Sequence, residues 1–595
     1  MFCPESLILS KMCCGNMWRK IFIMSVACLC AVGMKAQSSE DLEKMMRLTG
    51  CDVPENMDEH EVERLGHYLE HPLRINASSV STLRSCGLFN AYQAASLMDY
   101  RIRHGDIMSL SELSSIDGFN AETAGALSPF ISLAGGTLGQ YDAFMSNDLA
   151  VRGGTFVKDG DIGGSYGLKY RFTASERISA AISASRPSSD RFGVPETYSG
   201  YVSWEMKKVP ARIIAGDFNA RFGQGLALWN GFSMSGMGKV SSFLKSSSGL
   251  STSWSFTGSS AFTGVAGEIS FSRFRLSAMT AFPEIKTVGF AGTSILPAVN
   301  VGWFGRSGTV SMTHYVGFVP ASAGTPAHIP DMKTSADLAM CIRGVDFFSE
   351  VALDWTNLVP AALAGVIFPC GEELRMAAHM RYYPSRFNPS RSASVRSGSK
   401  SSNEYSVSLC SEYAQRSGRH KGSMSVDASY RPEPKAGTDL NVQIKILADY
   451  SLAVNDSFSM KFRLSERLRT WDRPCRTDAR ADLSWTWSRF MLNSRLNVLH
   501  CVGTGILGYV EGGYKTGSLA AYLRLGAYRI DSWDDRIYVY ERDAPGNFTV
   551  PAFYGRGAWA SLTGSWRYSR WGRLYLRTTI KPGKAELKLQ SVFSF

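Results

Sequence analysis

The densest group of metal-seeking side chains lies late in the chain. Asp531, Asp534, Asp535, Glu541 and Asp543 supply hard oxygens of the kind that hold Ca²⁺. Their spacing fits no calcium-binding loop, and Arg536 and Arg542 stand among them, so the expectation is a structural network of ion pairs. Gly223-Gln224-Gly225 has the glycine richness of a phosphate loop. No Lys-Ser/Thr follows it and no strand-to-helix passage frames it, so a bend or close packing is the expected role. The nine His are dispersed, with no His-Glu-x-x-His and no visible Ser/His/Asp arrangement. The chain is therefore read as non-enzymatic, with no catalytic residue, cofactor or metal. A barrel-embedded hydrolase with a triad scattered along the sequence is only a third reading.

Cys51, Cys86, Cys341, Cys370, Cys410, Cys475 and Cys501 are scattered without a Cys-x-x-Cys pair, which argues against zinc. Cys51 and Cys86 could pair in an oxidising compartment or stand as two buried thiols. With 595 residues the chain is long enough for at least two units. Hydrophobic residues make up 44%, aromatics 12%, and there are 56 Gly. Charged residues, at 19%, fall below the roughly 25% of ordinary soluble domains. The mean hydropathy of −0.10 excludes a helical membrane protein, and the mixture fits a barrel alternating lipid-facing and water-facing residues. The net charge of +12 points to nucleic acid, anionic lipid or neither, depending on where it sits.

The elements follow from periodicity. Trp18-Arg19-Lys20, an apolar run over 21–32 and Met34-Lys35-Ala36 form a signal peptide ending at residue 36, with Gln37 the first mature residue. Met17 is an alternative start, and Cys28 offers a weaker lipoprotein reading. Residues 37–133 have helical spacing. A short helix starts near Asp58 with Val62, Leu65 and Leu69 on one face. N-cap candidates fill 76–79, and a helix over 91–103 is stopped by Gly105. Leu110 and Leu113 mark another short helix, and Gly118-Phe119-Asn120 turns into a helix over 122–127. After Gly135-Gly136 the period becomes 2, the sign of strands. Strands are expected over 166–175, 178–185, 211–219, 271–282, 407–414, 442–450 and 483–490. In 556–568, Ala558, Ala560 and Leu562 share one face while Trp559, Ser561 and Thr563 share the other.

Tyr and Trp gather near strand ends, as an aromatic girdle requires. The last strand alternates Leu587, Leu589, Phe593 and Phe595, and the terminal Phe595 resembles the signal read by the barrel-assembly machinery. The fold expected is mainly β: a large transmembrane antiparallel barrel of about 18–22 strands over 134–595, preceded by a small all-α domain. The Ser-rich stretch 384–402, with Arg386, Arg391, Arg396 and Lys400, reads as a long, flexible, solvated loop between strands, which on the extracellular side could meet anionic lipopolysaccharide or DNA.

Residues 75–133 resemble tandem helix-hairpin-helix domains, like those of the DNA-receptor proteins of bacterial competence. Ile75-Asn76, Ala77, Leu83, Tyr100-Arg101, Gly105, Ser109, Leu113 and Gly118 keep the spacing. The resemblance implies that the hairpins Leu88-Phe89-Asn90 and Gly118-Phe119-Asn120 contact phosphate through backbone N–H groups. Only one of the four hairpin glycines is in place. Arg84, Arg101 and Arg103 are the cations, against Asp99, Asp106, Glu112, Asp117 and Glu122, a net −2 that disfavours DNA. With Gly216-Asp217-Phe218, Phe222-Gly223-Gln224-Gly225-Leu226 and the segment 536–541, the whole chain resembles the Bacteroidota helix-hairpin-helix outer-membrane proteins.

The resulting expectation is a signal peptide (1–36), a periplasmic helical domain (37–133) and an outer-membrane barrel (134–595). The function expected is transport, surface assembly or docking of a periplasmic protein partner, with DNA uptake as the alternative. Outer-membrane lipid and lipopolysaccharide are the surroundings. Leu88, Phe89, Asn90, Gly118, Phe119, Asn120, Arg84, Arg101 and Arg103 are the candidate contacts to DNA or partner.

Overall fold

The computed structural model describes residues 39–595 apart from 52, 58, 135–144, 175–176, 190–192, 207–208, 232–237, 257–259, 272, 289–292, 306, 320–327, 435–440 and 472–474. The expected signal peptide lies outside the described residues.

Twenty-four antiparallel strands, from Met145–Lys158 to Lys584–Ser594, close into one barrel. The last strand returns to the first, with Lys584 opposite Lys158 and Ser594 opposite Asp148. This corrects the expected 18–22. Many strands are joined by tight hairpins, so each uses fewer residues than the roughly 20–25 per strand assumed from barrel dimensions. Arg343 and Gly344, with φ of 52° and 80°, make one such turn of the primed type that suits strand twist. The even count brings Met145 and Ser594 to the same rim, which carries the short turns. The opposite rim carries the long connections 222–261, 384–403 and 531–554.

Side chains alternate between the two faces of the wall. Leu168 and Tyr170 are exposed and Lys169 between them is buried. Val510 against Glu511, and Leu523 and Leu525 against Arg524, repeat the pattern. Trp559, Ser561, Thr563 and Ser565 are buried as one face, as the sequence pattern required. An apolar outside around a charged inside inverts a soluble protein, and lipid is the surrounding that matches it. Trp204, Trp303, Trp485 and Trp487 are exposed near the short-turn rim. Tyr382 and Tyr405 stack at 4.8 Å near the other.

The helical part comprises α1 (Ser39–Thr49), α2 (Glu59–Glu70), α3 (Val80–Ser85), α4 (Ala91–His104), α5 (Leu110–Ser114) and α6 (Ala121–Leu127). Each short helix starts on a side-chain cap, which satisfies N–H groups the helix cannot. Ser79 accepts from Thr82 N, Ser109 from Glu112 N and Asn120 from Thr123 N. Asn90 and Gln93 form a reciprocal capping box on α4. Gly105, at φ 88°, ends α4. The short strands Leu73–Arg74 and Ile131–Ser132 pair in parallel and tie the ends of the module together.

Among the described residues the two largest apolar cores lie in the barrel interior. One belongs to the helices: Phe89, Leu97, Ile107, Leu113, Leu127 and Phe130, joined by Tyr540 from the connection 531–554. The other gathers Phe222, Leu226, Leu228 and Phe243 from the connection 222–261 against Tyr315 and Phe348 of the wall. Phe387 and Val395 join it from 384–403. The stretch expected as a flexible solvated loop is thus folded inward, with Ser394 and Ser401 fully buried. Serine is small enough to pack there, and Ser390 and Ser397 donate to Asp331 and Asp427 of the wall, so a Ser-rich composition did not mean solvent.

Candidate functional site

The two helical hairpins are built alike. Gly87 (φ 71°) and Gly118 (φ 85°) make the turns, and Phe89 and Phe119 follow them, with ring centroids 6.0 Å apart. Asn90 and Asn120 then cap the next helices. Three of the hairpin N–H groups that a phosphate would need are engaged internally. Leu88 N donates to Cys86 Sγ, Asn90 N to Gln93 Oε1 and Phe119 N to Ile116 O. Leu88, Phe89 and Phe119 are buried. The Gly118 carbonyl accepts from Gln93 Nε2 at 2.9 Å, which locks one hairpin to the other.

The three candidate arginines are not brought together. Arg84 leaves the module, lies 4.1 Å over the Phe304 ring and donates to Ser270 Oγ of the wall. Arg101 is a buried strut that donates to the carbonyls of Ser78 and Asn76. Arg103 is exposed and pairs with Asp99 on its own helix. Asn76 is fully buried and ties the module's first and last segments. Its Nδ2 donates to Ile107 O and Leu133 O, and its Oδ1 accepts from Ile107 N. Cys51 and Cys86 are separate buried thiols.

What the structure brings together instead is the module and the inner wall. Glu43 pairs with Lys461 at 2.6 Å, and Glu122 with Arg375 at 2.9 Å. Glu63 pairs with the buried Lys169. Glu55 pairs with Arg495 at 2.6 Å and Arg480 at 3.2 Å, and it also accepts from Tyr540 N. Burial alone would raise the Glu55 carboxyl, but these two guanidiniums and the N–H hold it well below the usual carboxylate range. His67 of α2 faces Arg171, 3.0 Å from its Nη2, and His71, with ring centroids 5.1 Å apart. Burial, then Arg171 and His71, push His67 well below the usual range, against the opposing pull of Asp148. Ser81 Oγ donates to Glu205 at 2.5 Å, and Arg212 donates to Ser85 Oγ at 2.7 Å. The helices therefore sit within the lumen toward the short-turn rim.

The inward connections are anchored differently. Gly223 (φ 57°) and Gly225 (φ 81°) curl the chain so that Gln224 N, Leu226 N and Ala227 N all donate to the Glu350 carboxylate, at 2.7, 3.0 and 3.2 Å. The bend expected at these glycines is present, and it forms a nest for a carboxylate. Sequence gave no signal for this partner, which stands more than a hundred residues away. In the late acidic cluster, Glu541 and Asp543 pair with Arg577, and Asp535 accepts from the N–H groups of Cys501, Val502 and Gly503. The cluster is an ion-pair and hydrogen-bond network.

Two cavities flank the helices. One of about 1150 Å³ lies between Met46, Val53 and Leu88 of the module and Lys421, Arg489 and Arg463 of the wall. The other, about 770 Å³, lies beside α2 and is lined by Arg171, Arg567, Arg570 and Arg573.

No protein-family model matches the chain, and no curated protein matches it in sequence. Among solved structures it is similar to the E. coli P pilus tip assembly intermediate PapC-PapD-PapK-PapG. That likeness has 9% identity and a TM-score of 0.47, covering 77% of this chain and 62% of that one. It is also similar to the siderophore receptor PirA of Pseudomonas aeruginosa (8% identity, 76% and 80% covered, TM-score 0.37). The outer membrane protein OpdK of the same organism gives 8% identity, 76% and 99% covered, and a TM-score of 0.30. What these proteins share with the chain is fold alone. By its own geometry the chain is an outer-membrane-type β-barrel of twenty-four strands with a helical part in its lumen.

Proposed function

We propose that this is a non-enzymatic transport barrel of the bacterial outer membrane whose N-terminal helices act as a releasable plug. The observation that carries the reading is the set of acid–base pairs joining the module to the inner wall: Glu43, Glu55, Glu63 and Glu122 against Lys461, Arg495 with Arg480, Lys169 and Arg375. Such contacts hold a folded unit against the wall, and the exposed ones weaken with salt. Short turns characterise the periplasmic rim of such barrels, which supports a periplasmic position for the module.

The paired hairpins, each with a turn glycine, Phe and Asn, support the helix-hairpin-helix reading of 75–133 and the resemblance to the Bacteroidota family. Their use here is occlusion and docking. Ile102 and Met108 are each 76% exposed, beside exposed Leu110, and form the face a periplasmic protein partner would grip to draw the module out. DNA contact is disfavoured because three of the hairpin N–H groups are already engaged and Glu122 stands at the second hairpin's helix start.

Conductance of the mature chain in planar bilayers tests this. The native protein is expected to be closed, and the fourfold variant Glu43→Lys, Glu55→Lys, Glu63→Lys, Glu122→Lys to show frequent openings. Equal closure of both, with the module of the variant cleaved free by protease, overturns the plug reading.

A further inference from the structure

The charge of the two units is opposite. Between residues 37 and 133, fifteen Asp and Glu stand against seven Lys and Arg, whereas residues 134–595 carry 53 Lys and Arg against 36 Asp and Glu. An acidic plug sits in a basic barrel. The complementarity is local as well as global, because four module carboxylates, on α1, α2, α6 and the turn before α2, each meet a wall cation on a different part of the circumference.

We infer that the lumen is a conduit for an acidic, carboxylate-bearing chain, and that the module's glutamates occupy the positions its carboxylates take. The inference rests on the plug reading and adds the class of cargo. When the helices leave, Lys461, Arg375 and Lys169 lose the acidic partners the module supplies, and Arg480 with Arg495 keep Asp482 as their shared carboxylate among the described residues. Cations concentrated within a low-dielectric wall raise the local concentration of anions and steer them inward. The second cavity already opens this surface beside α2, where Arg171, Arg567, Arg570 and Arg573 line it together with Trp254 and Trp571. Trp254 stacks its ring under Arg171, with the guanidinium 5.0 Å from the centroid, and Asp148 pairs with the same guanidinium at 2.6 Å. The module is thus a built-in competitor: cargo and plug bid for the same cations, so cargo arrival itself loosens the plug.

The full mature chain in detergent tests this by the rate at which protease cleaves the module. The arms are poly-L-glutamate, poly-L-lysine, a single-stranded oligothymidylate and NaCl, all at matched ionic strength. Poly-L-glutamate is expected to speed cleavage about tenfold over matched NaCl, with poly-L-lysine without effect, because only the former competes for the wall. If concentrated NaCl releases the module but poly-L-glutamate at matched ionic strength gives no excess, the cargo class is wrong and the plug survives. Excess release by oligothymidylate alone overturns the carboxylate assignment in favour of a nucleic acid. If no arm releases the module, the plug reading falls and the conduit with it. A second readout is the reversal potential of the Glu43→Gln, Glu55→Gln, Glu63→Gln, Glu122→Gln variant under a KCl gradient. Anion selectivity is expected, and cation selectivity overturns the inference.

Discussion

The helical module and the connection 222–261 both fill the barrel, but opposite chemistry holds them there. The module has its own core of Phe89, Leu97 and Leu127, shares apolar contact with Tyr540, Phe548 and Val550 of the connection 531–554, and touches the strands of the wall largely through charges. The connection has no core apart from the wall. Leu226, Leu228 and Phe243 pack directly on Tyr315 and Phe348, and Glu350 is wrapped by three N–H groups. The difference teaches that one filling is part of the barrel and the other is a guest. The exposed pairs Glu43–Lys461 and Glu122–Arg375 open at modest cost, and the buried pairs of Glu55 and Glu63 open once both charges find other partners, whereas an apolar interface opens only by unfolding.

The comparison breaks most visibly at Glu350. Glu350→Gln leaves a single acceptor where three N–H groups converge, and its loss is expected to cost about 3 kcal/mol. Limited proteolysis should then cut within 222–261 while the module stays protected. Gly223→Ala tests the same nest from the other side. A Cβ there would lie 2.8 Å from Glu350 Oε2 at φ 57°, and a destabilisation of about 2 kcal/mol is expected from thermal unfolding.

On the guest side, Glu55→Gln removes one of the two carboxylates that Arg480 and Arg495 share, and Asp482 remains. Docking is expected to weaken by about 2 kcal/mol, read as faster protease cleavage of the module with the barrel's melting temperature unchanged. An equal fall in both would mean that module and barrel are one cooperative unit.

A smaller effect sharpens the contrast through pH. Docked, His67 is held well below its usual value, while a released His67 titrates near 6.5. Between the two values the released state binds a proton that the docked state does not. Docking is therefore complete above the usual His range and weakens as pH falls below it. Glu55, also held below its usual value, acts in the same direction, but only as pH falls into the usual carboxylate range, below the pH values at which His67 responds. Module cleavage should rise from pH 7.5 to 5.5 in the native chain and lose that rise in His67→Gln. The smallest effect belongs to Arg103→Ala, whose exposed pair with Asp99 contributes less than about 0.5 kcal/mol. Melting and cleavage should both stay as in the native chain.

Much of the fold was legible because it obeys local periods. Lys169 between Leu168 and Tyr170, or Trp559 opposite Ala558, show in the sequence which face each residue takes. Asn90, Ser109 and Asn120 announce helix starts where they stand. The strand number was misjudged because hairpins such as Arg343-Gly344 consume almost no chain. The interior was illegible for a different reason. Glu350 meets Gln224, and Glu55 meets Arg495, only once the barrel has closed, and no spacing along the chain encodes those meetings. The same holds for 384–403, whose serines read as solvent-facing until Ser394 and Ser401 are seen buried. The candidate residues of the hairpins were found in the right elements, yet their work is capping and packing: Asn90 and Asn120 start helices, and Arg101 braces Ser78.

The central claim, that the helices reside in the lumen, is tested most directly by cross-linking in membranes of intact cells. Ser81 of α3 lies against Glu205 of the wall, with Oγ 2.5 Å from the carboxylate. The pair Ser81→Cys with Glu205→Cys should form a disulfide readily on mild oxidation, join the module to the barrel after proteolysis of the linker, and form more slowly in high salt. A pair that stays reduced while the module is cleaved away freely at low salt would contradict the account.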